Sequence, residues 1–160
     1  MVIASGVAVR EIASADEVDL SGFCCAGIRE PWALEVEEAI RKDVHQFVGQ
    51  PGFHLLVADD LFATVGVLAM RRSSLMPAFA SIPVLAVSVN HRRRGIARAL
   101  KTHALAVARL MGVTAVTSEV DVDNDAMLRL NTDLGADIRP KPSADAWAPF
   151  QRFQCTIRLG

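Results

Sequence analysis

Apolar residues recur at strand spacing in some segments of the chain and at helical spacing in others. Residues 7–12 alternate between apolar and polar, which predicts a short first strand. A helix is expected over 14–27, with Ser14 as its N-cap and Glu17 at the capping-box position. A second helix is expected over 31–49, because a proline suits a helix start and a glycine ends the helical spacing.

Strands dominate the middle of the chain. Two apolar runs, 54–58 and 61–70, flank an Asp-Asp turn and predict a β-hairpin. Another strand is expected over 79–89. Within it, Pro83 indicates a bulge or an edge position, because proline has no backbone N–H to donate to a neighbouring strand.

Helix and strand alternate in the second half of the chain. The spacing predicts a helix over 95–111, a strand over 113–120, a helix over 124–134 with Asp123 as its N-cap, and one or two closing strands, the last over 150–159. Because a helix joins them, the strands before and after 95–111 are expected to run parallel. The expected fold class is a mixed α/β sheet, in a single domain of residues 1–160.

The composition is that of an ordinary globular domain. Of the 160 residues, 51% are hydrophobic and 22% are charged, which argues against disorder. The net charge of −1 argues against broad nucleic-acid binding, which requires a basic excess. The three cysteines are too few for a disulfide framework, and no cysteines or histidines have metal-ligand spacing, so no metal is expected. With no signal-peptide pattern and no apolar run of ~18 residues, we expect a soluble cytoplasmic protein that does not enter membranes.

The segment 85–98 carries the strongest chemical signal. An apolar strand runs into a tight turn and then into a long helix, whose first amides have no partner within the helix. Together with the helix dipole these amides form an anion site, and Gly95 and Ala97 let a phosphate approach the backbone. A pyrophosphate fits this arrangement, and the alternative is a solvated basic turn before an ordinary helix. Four residues add positive charge: Arg92, Arg93, Arg94 and Arg98.

Three short motifs resemble those of one enzyme family. Arg-Arg-Arg-Gly-Ile-Ala over 92–97 matches the pattern (Gln/Arg)-x-x-Gly-x-(Gly/Ala). Asn-Asp-Ala-Met over 124–127 and Asn-Thr-Asp-Leu-Gly-Ala over 131–136 resemble an Asn-x-x-Ala/Met segment and a Leu-Gly-Phe ending. Over 85–136 the chain therefore resembles the GNAT N-acetyltransferase superfamily. The resemblance implies a mixed, mostly antiparallel sheet with a splayed central parallel strand pair, about four flanking helices, and acetyl-CoA as co-substrate.

The resemblance also implies roles by position. Leu85, Ala86 and Val87 would lie beside the pantetheine arm, where their strand separates from its neighbour. Asn124 would lie against the cofactor. The turn and the first helical amides would bind the pyrophosphate through Arg92, Arg93, Arg94, Gly95, Ile96, Ala97 and Arg98.

An amine acceptor must lose a proton before it attacks, because an ammonium has no lone pair. Glu119, at the end of the strand over 113–120, is the candidate general base. Glu-Val-x-x-x-Asn over 119–124 is similar to the GNAT branch that acetylates ribosomal protein N-termini. Glu119 and Asp121 share a face, which would favour a cationic acceptor if they line the cleft. The alternative is an exposed carboxylate at a strand end.

The chain departs from the family at the position of the general acid. Many GNAT enzymes carry a tyrosine seven residues after the cofactor asparagine, whereas this chain has Asn131 there and no tyrosine at all. An amide cannot act as an acid, but Asn131 can donate a hydrogen bond to the departing sulfur. The outcomes left open are a slower enzyme, a different acid, or an acyl-CoA-binding module of the same fold without efficient transfer.

The acceptor and the oligomeric state are less constrained. The acceptor is expected to be a small amine or a protein N-terminus, and the apolar last strand can pair across a homodimer. Trp32, Phe47 and Phe53 either pack in the core or wall the acceptor site. His91 is expected to be a solvated turn residue beside the phosphates.

Overall fold

Seven short strands hydrogen-bond side by side in the computed structural model, which describes residues 6–14, 17, 38, 41, 42, 45, 46, 48–61, 63–141 and 152–160. The strands are β1 (Ala8–Ile12), β2 (Phe53–Asp59), β3 (Thr64–Arg72), β4 (Phe79–Val87), β5 (Ala115–Asp121), β6 (Asp137–Lys141) and β7 (Arg152–Arg158). In this part of the chain they form one sheet with the spatial order β1-β2-β3-β4-β5-β7-β6. Neighbours are antiparallel except for β4 and β5, which run parallel as predicted.

Two α-helices lie complete within the described residues. They are α1 (Ile96–Leu110) and α2 (Asp125–Asp133), and a 3-10 turn (Val89–His91) lies between β4 and α1. The sequence predicts about four helices, and the other two fall mostly on residues outside the described set. Trp32 and Phe47 lie outside it as well. Neither helix of the described residues is both long and apolar enough to cross a membrane.

Parts of the two predicted N-terminal helices fall within the described residues. The Glu17 carboxylate accepts a hydrogen bond from the Ser14 backbone N–H at 3.0 Å, which is the capping-box contact expected there. Of the second predicted helix, residues 38, 41, 42, 45 and 46 are described and helical.

The central strands β2 and β3 are buried on both faces of the sheet. On one face, Leu56 and Leu68 belong to a cluster with Leu100 of α1. On the other face, Val57 and Val67 belong to a second cluster, against which Phe53 also packs. Since neighbouring positions in a strand point to opposite faces, the middle of each strand, 55–58 and 65–70, is continuously apolar rather than alternating.

Gly66 in β3 allows α1 to approach the sheet closely. A Cβ atom added to Gly66 would lie 2.9 Å from Ile96 Cγ2 and 3.0 Å from Leu100 Cδ1. Gly66 pairs with Val87, the last residue of β4. The missing side chain therefore places the first turn of α1 beside the end of β4.

The β2–β3 hairpin is confirmed, but β3 begins later than predicted. The Asp60 N–H donates to the Ala63 carbonyl at 3.0 Å, and the Ala63 N–H donates to Asp60 Oδ1 at 2.9 Å. These bonds close the turn and delay the strand until Thr64. Leu61, predicted as the first strand residue, is 89% exposed.

Of the two positions predicted for Pro83, a bulge or a sheet edge, the structure has the bulge. Ala69 of β3 pairs with Val84 of β4, whereas Arg71 pairs with Ser81. Two steps along β3 therefore correspond to three along β4, so β4 holds one extra residue near Pro83. Because proline has no N–H, the position suits an interruption of the hydrogen-bond ladder.

The C-terminal strands differ most from the sequence pattern. The closing strand is β7, within the predicted range, and it pairs with both β5 and β6. β6 carries a single apolar residue besides a proline, Ile138, and most of the strand is exposed. Its strand conformation comes from pairing with β7 and not from a local pattern.

Candidate active site

The parallel strands β4 and β5 separate part-way along their length. Their pairing begins at Phe79 with Ala115 and ends at Ile82 with Ser118. Beyond that pair, β4 continues to pair with β3, and β5 continues to pair with β7. In the described chain, β4 and β5 do not pair with each other any further. The backbone edges that face each other across this opening can bond an inserted polar chain.

The predicted cofactor residues Leu85, Ala86 and Val87 lie along this opening on β4. Each is partly exposed, in contrast to the fully buried residues of β3 opposite them. Leu85 and Val87 pack towards the α1 face, whereas Ala86 packs towards the other face. The opening therefore has an apolar wall, which suits an arm of methylene and amide groups.

The backbone between β4 and α1, where the sequence predicts an anion site, contains two residues with positive φ. Arg93 has φ 61°, which is unusual for a residue with a side chain, and Gly95 has φ 79° at the N-cap of α1. An alternation of left-handed and right-handed residues turns successive N–H groups to one side. The first turn of α1 holds no acidic residue that would compete for these amides. Arg93, Arg94 and Gly95 are exposed, so the predicted phosphate cradle is open to solvent.

The arginine side chains around this turn have different partners. Arg92 Nε donates to the Val87 carbonyl at 3.2 Å, which ties the turn to the end of β4. The Arg98 guanidinium forms an ion pair with Asp133 of α2. This exposed ion pair links α1 to α2. The contribution of Arg98 to a phosphate site stays a prediction, based on its position in the first turn of α1.

His91 is not the solvated turn residue expected from the sequence. Its Nε2 lies 3.1 Å from Asp60 Oδ2 in the β2–β3 turn. Its Nδ1 is buried and has no hydrogen-bond partner in the described chain. His91 therefore anchors the turn before α1 to the neighbouring hairpin, a contact between residues 31 positions apart.

Glu119 lies on β5 among cations from two neighbouring strands. Its carboxylate bonds the Lys141 ammonium and lies 3.4 Å from Arg152 Nη1. The Lys141 hydrogen bond is the main cause of a lowered Glu119 pKa, so this carboxyl is ionised at neutral pH. Asp121 shares the face as predicted and bonds Arg152 Nε at 3.2 Å. Two cations, Lys141 and Arg152, therefore lie against the predicted acidic face, and its expected preference for a cationic acceptor stays a prediction.

Asn124 is the N-cap of α2, where the sequence predicts Asp123. The Asn124 Oδ1 atom accepts the Met127 N–H at 3.1 Å. Both residues have side chains that cap helices well, and the chain enters the helix one residue later than the pattern indicates. The Asn124 side chain is exposed on the β5–α2 connection, beyond the end of β5.

Asn131 is buried, and both the oxygen and the nitrogen of its side-chain amide form hydrogen bonds. The residue is 0% exposed, its Nδ2 donates to the Met127 carbonyl at 2.9 Å, and its Oδ1 accepts from Lys101 Nζ. Lys101 Nζ also donates to Ser118 Oγ at 3.2 Å. The sequence predicts that Asn131 donates a hydrogen bond to a substrate sulfur. In the structure, its amide nitrogen donates to Met127 and its amide oxygen accepts from Lys101.

The sequence reasoning missed Lys101. The residue is 1% exposed, and burial lowers the pKa of its ammonium to about 8, partly offset by the neighbouring Cys155. Burial raises the pKa of the Cys155 thiol. One signal was available, because the helical spacing of Leu100, Ala104, Leu105 and Ala108 puts position 101 on the buried face of α1.

Comparison with known proteins assigns the fold to a family. The sequence profile of the Acetyltransferase (GNAT) family matches residues 10–136. The chain belongs to the GNAT acetyltransferase family. No curated protein sequence gave a significant match.

Solved structures with this GNAT fold are similar over 74–96% of the chain in the three cases below but are distant in sequence. The PaiA N-acetyltransferase of Thermoplasma acidophilum in complex with coenzyme A is 14% identical with a TM-score of 0.72, covering 96% of this chain and 99% of that one. Ard1 of Thermoplasma volcanium is 20% identical with a TM-score of 0.65, covering 96% and 98%. The GNAT domain of S. lividans PAT is 24% identical with a TM-score of 0.62, covering 74% and 68%.

Within this GNAT chain the structure groups the candidate residues into three regions. The opening and the α1 turn bring together the predicted cofactor residues of β4 and the helix start. Glu119 lies on the next strand, bonded to β6 and β7. The third region is the buried group of Lys101, Ser118 and Asn131. Among the described residues, no three histidine, cysteine or acidic side chains are arranged to hold a metal ion.

Proposed function

We propose that this GNAT chain is an acetyl-CoA-dependent N-acetyltransferase that moves an acetyl group to a primary amine by direct attack in a ternary complex. The observation that carries the proposal is the separation of β4 from β5 beyond Ile82 and Ser118, directly beside the positive-φ turn at the start of α1. An opening between two strand edges next to an anion site suits a pantetheine arm joined to a pyrophosphate.

The residues fit the acyl donor in two places. The apolar wall of Leu85, Ala86 and Val87 contacts the arm, and its backbone groups pair with the amides of the arm. The α1 turn, from Arg92 to Arg98, binds the pyrophosphate through its amides and positive charge. When bound, acetyl-CoA supplies an activated thioester carbonyl. A backbone N–H near Val87 polarises that carbonyl, as oxyanion donors do.

Glu119 is proposed as the acceptor of the amine proton, through a bridging water. Its lowered pKa keeps it ionised, but it also makes it a weak base. An α-amino group, with a pKa of ~7.7–8.0, loses its proton more readily than a lysine side chain at ~10.4. A weak base therefore favours an α-amine, such as a protein N-terminus, over a lysine-like amine. Small α-amines remain acceptors of the same class.

A second candidate function is an acyl-CoA-binding module with little transfer activity. It is favoured by one observation. The chain has no tyrosine, and Asn131, at the corresponding position, is fully buried and bonded to Met127 and Lys101. A module of this kind would share the acyl-CoA site and differ only in turnover.

Calorimetric titration with acetyl-CoA tests the shared site. Dephospho-CoA and ATP serve as controls that separate the contribution of the arm from that of the phosphates. Micromolar binding that requires the arm supports both candidates. A release assay for free CoA thiol, run with α-amine peptides and small amines, then separates an enzyme from a binding module. An absence of binding at any practical concentration would overturn both candidates.

A further inference from the structure

A line of three polar side chains connects the interior of the protein to the opening between β4 and β5. Lys101 and Asn131 are fully buried, at 1% and 0% exposure, whereas Ser118 is partly exposed. Lys101 Nζ donates to both of the other side chains. Ser118 is thus the solvent-accessible end of a chain of hydrogen bonds that begins on a buried cation.

Ser118 has a particular place in the sheet. It is the last residue of β5 that pairs with β4, opposite Ile82. Its hydroxyl therefore lies where the two strands begin to separate, at the closed end of the opening. A group transferred from a molecule seated in the opening would lie near this end.

The charge of Lys101 is not neutralised by a carboxylate. Its partners are the Ser118 hydroxyl and the Asn131 amide, and none of the ion pairs among the described residues includes it. The Cys155 thiol of β7, which pairs with Ser118 across the sheet, is the other titratable group that affects Lys101. The α2 carboxylate of Asp133 is held by Arg98. Burying a cation that has only neutral hydrogen-bond partners costs folding free energy. A functional role would explain why the chain has a lysine at this position.

We propose that Ser118 donates a proton to the sulfur that leaves the acetyl group, with Lys101 as the proton source behind it and Asn131 as the residue that orients Lys101. This inference rests on the proposed transferase function. It assigns the role of general acid, for which the chain has no tyrosine, to a hydroxyl and an ammonium on neighbouring elements. Ser118 is the catalytic residue, because its hydroxyl touches the sulfur. Lys101 and Asn131 act through Ser118 and are positioning residues.

The proton movements in this step balance. The amine nitrogen forms a bond to the acetyl carbon, the carbon–sulfur bond breaks, and its electron pair stays on sulfur. Ser118 Oγ–H passes its proton to that sulfur, and Lys101 Nζ–H passes one to Ser118 Oγ. Lys101 is left neutral and is protonated again from solvent after the products leave. Because the Lys101 pKa is about 8 and that of a free thiol is ~8.5, the overall transfer is close to balanced in energy.

Kinetics of variants test this relay. Ser118→Ala removes the hydroxyl, Lys101→Met removes the charge at similar volume, and Ser118→Thr restores a hydroxyl. Thr117→Val is the matched control, because Thr117 neighbours Ser118 on β5 but faces the other side and bonds the Ala80 carbonyl. We expect kcat to fall by about 100-fold in Ser118→Ala and Lys101→Met, the low end of general-acid effects, because a thiolate leaves readily. Acetyl-CoA affinity should stay near wild type in all of these variants. The kcat of Thr117→Val should also stay near wild type, and Ser118→Thr should recover part of the rate that Ser118→Ala loses.

The pH profile adds a readout that a structural role would not change. Wild-type kcat should fall as the pH rises through about 8, where Lys101 loses its proton, and this fall should be absent in Lys101→Met. A second readout does not depend on turnover. The thiol pKa of bound CoA, followed by its ultraviolet absorbance, should be about 1 unit higher in Lys101→Met than in wild type, because the ammonium stabilises the thiolate.

The possible outcomes distinguish a failure of the proton relay from a failure of the transferase function. Wild-type protein that binds and transfers normally, with unchanged kcat and pH profile in Ser118→Ala, would overturn the relay and leave the transferase function intact. Acetylation found on Ser118 itself, by mass spectrometry after incubation with acetyl-CoA, would overturn the relay in favour of a serine nucleophile. Failure of the wild-type protein to bind acetyl-CoA would overturn the transferase function and the relay with it.

Discussion

Gly66 of β3 and Ile96 of α1 are so close that a single added methyl group would collide. A Cβ on Gly66 would lie 2.9 Å from Ile96 Cγ2, and the second neighbour, Leu100 Cδ1, would lie at 3.0 Å. Because α1 carries the proposed phosphate turn at its start, this contact fixes where the turn lies relative to the end of β4. The glycine thus has a positioning role that no local motif indicates.

Gly66→Ala should therefore destabilise the fold and displace the phosphate turn. We expect the free energy of unfolding to fall by about 1–3 kcal/mol, as overpacking does in well-packed cores. Urea denaturation measures the first effect and calorimetry with acetyl-CoA the second. Gly160→Ala is the control, since a Cβ there would contact nothing within 4 Å. Equal stability of both variants would contradict the close contact.

Gly95→Glu should abolish acyl-CoA binding. The φ of 79° strains any side chain, and a carboxylate at the N-cap of α1 would occupy the anion site and repel phosphate. We expect affinity to fall by about 100-fold or more, which corresponds to ~3 kcal/mol. Gly112→Glu is a matched control at the other end of α1, with φ 71° and equally open space. If both variants bind alike, the α1 turn is not the phosphate site.

Glu119→Gln should retain acetyl-CoA affinity and lose most of its rate at neutral pH. The rate should partly recover at high pH, where the amine loses its proton without help. Since the wild-type Glu119 pKa lies below its ordinary 4.5, no loss of activity from its protonation is expected until the pH falls below that value. Steady-state kinetics across the pH range provide the measurement. Asp121→Asn, on the same face and bonded to Arg152, is the control, and an equal loss in both variants would remove Glu119 as the base.

The buried Lys101 should make stability depend on pH. Its folded pKa of about 8 lies below its ordinary 10.5, so the unfolded chain binds this proton more tightly. The stabilisation is therefore complete above the unfolded value and is lost as the pH falls through about 8. From about pH 7 to about pH 9, the free energy of unfolding should rise by about 1 kcal/mol. The Cys155 thiol, whose pKa is raised, acts in the opposite direction only above about its ordinary 9.0.

Lys101→Met should remove most of that slope. Denaturation curves of wild type and variant at both pH values supply the comparison. The variant should also be the more stable of the two at neutral pH, because it no longer buries a charge. A slope that persists in Lys101→Met would assign the pH dependence to another group.

Local patterns were sufficient where the structure depends on neighbours in the chain. The apolar strand, basic turn and helix over 85–98 were predictable because strand spacing, Gly95 and helical spacing all lie within that segment. The parallel relation of β4 and β5 followed from the helix between them. Pro83 indicated the bulge by lacking an N–H. In each case a chemical property of one residue or a short repeat restricts the backbone by itself.

Tertiary structure decided what depends on residues far apart in sequence. Glu119 meets Lys141 and Arg152, which are 22 and 33 positions away, so its two cations could not be seen from a Glu-Val-x-x-x-Asn pattern. β6 is a strand because β7 pairs with it, despite a polar sequence. Lys101 would be expected in water, and only the folded structure buries it and brings it within hydrogen-bond distance of Ser118 and Asn131. Sequence by itself therefore determined the family motifs and the position of the turn that is proposed to bind phosphate. The assembled sheet decided the charge environment of the site, because electrostatic and hydrogen-bond partners are set by distance in space and not along the chain.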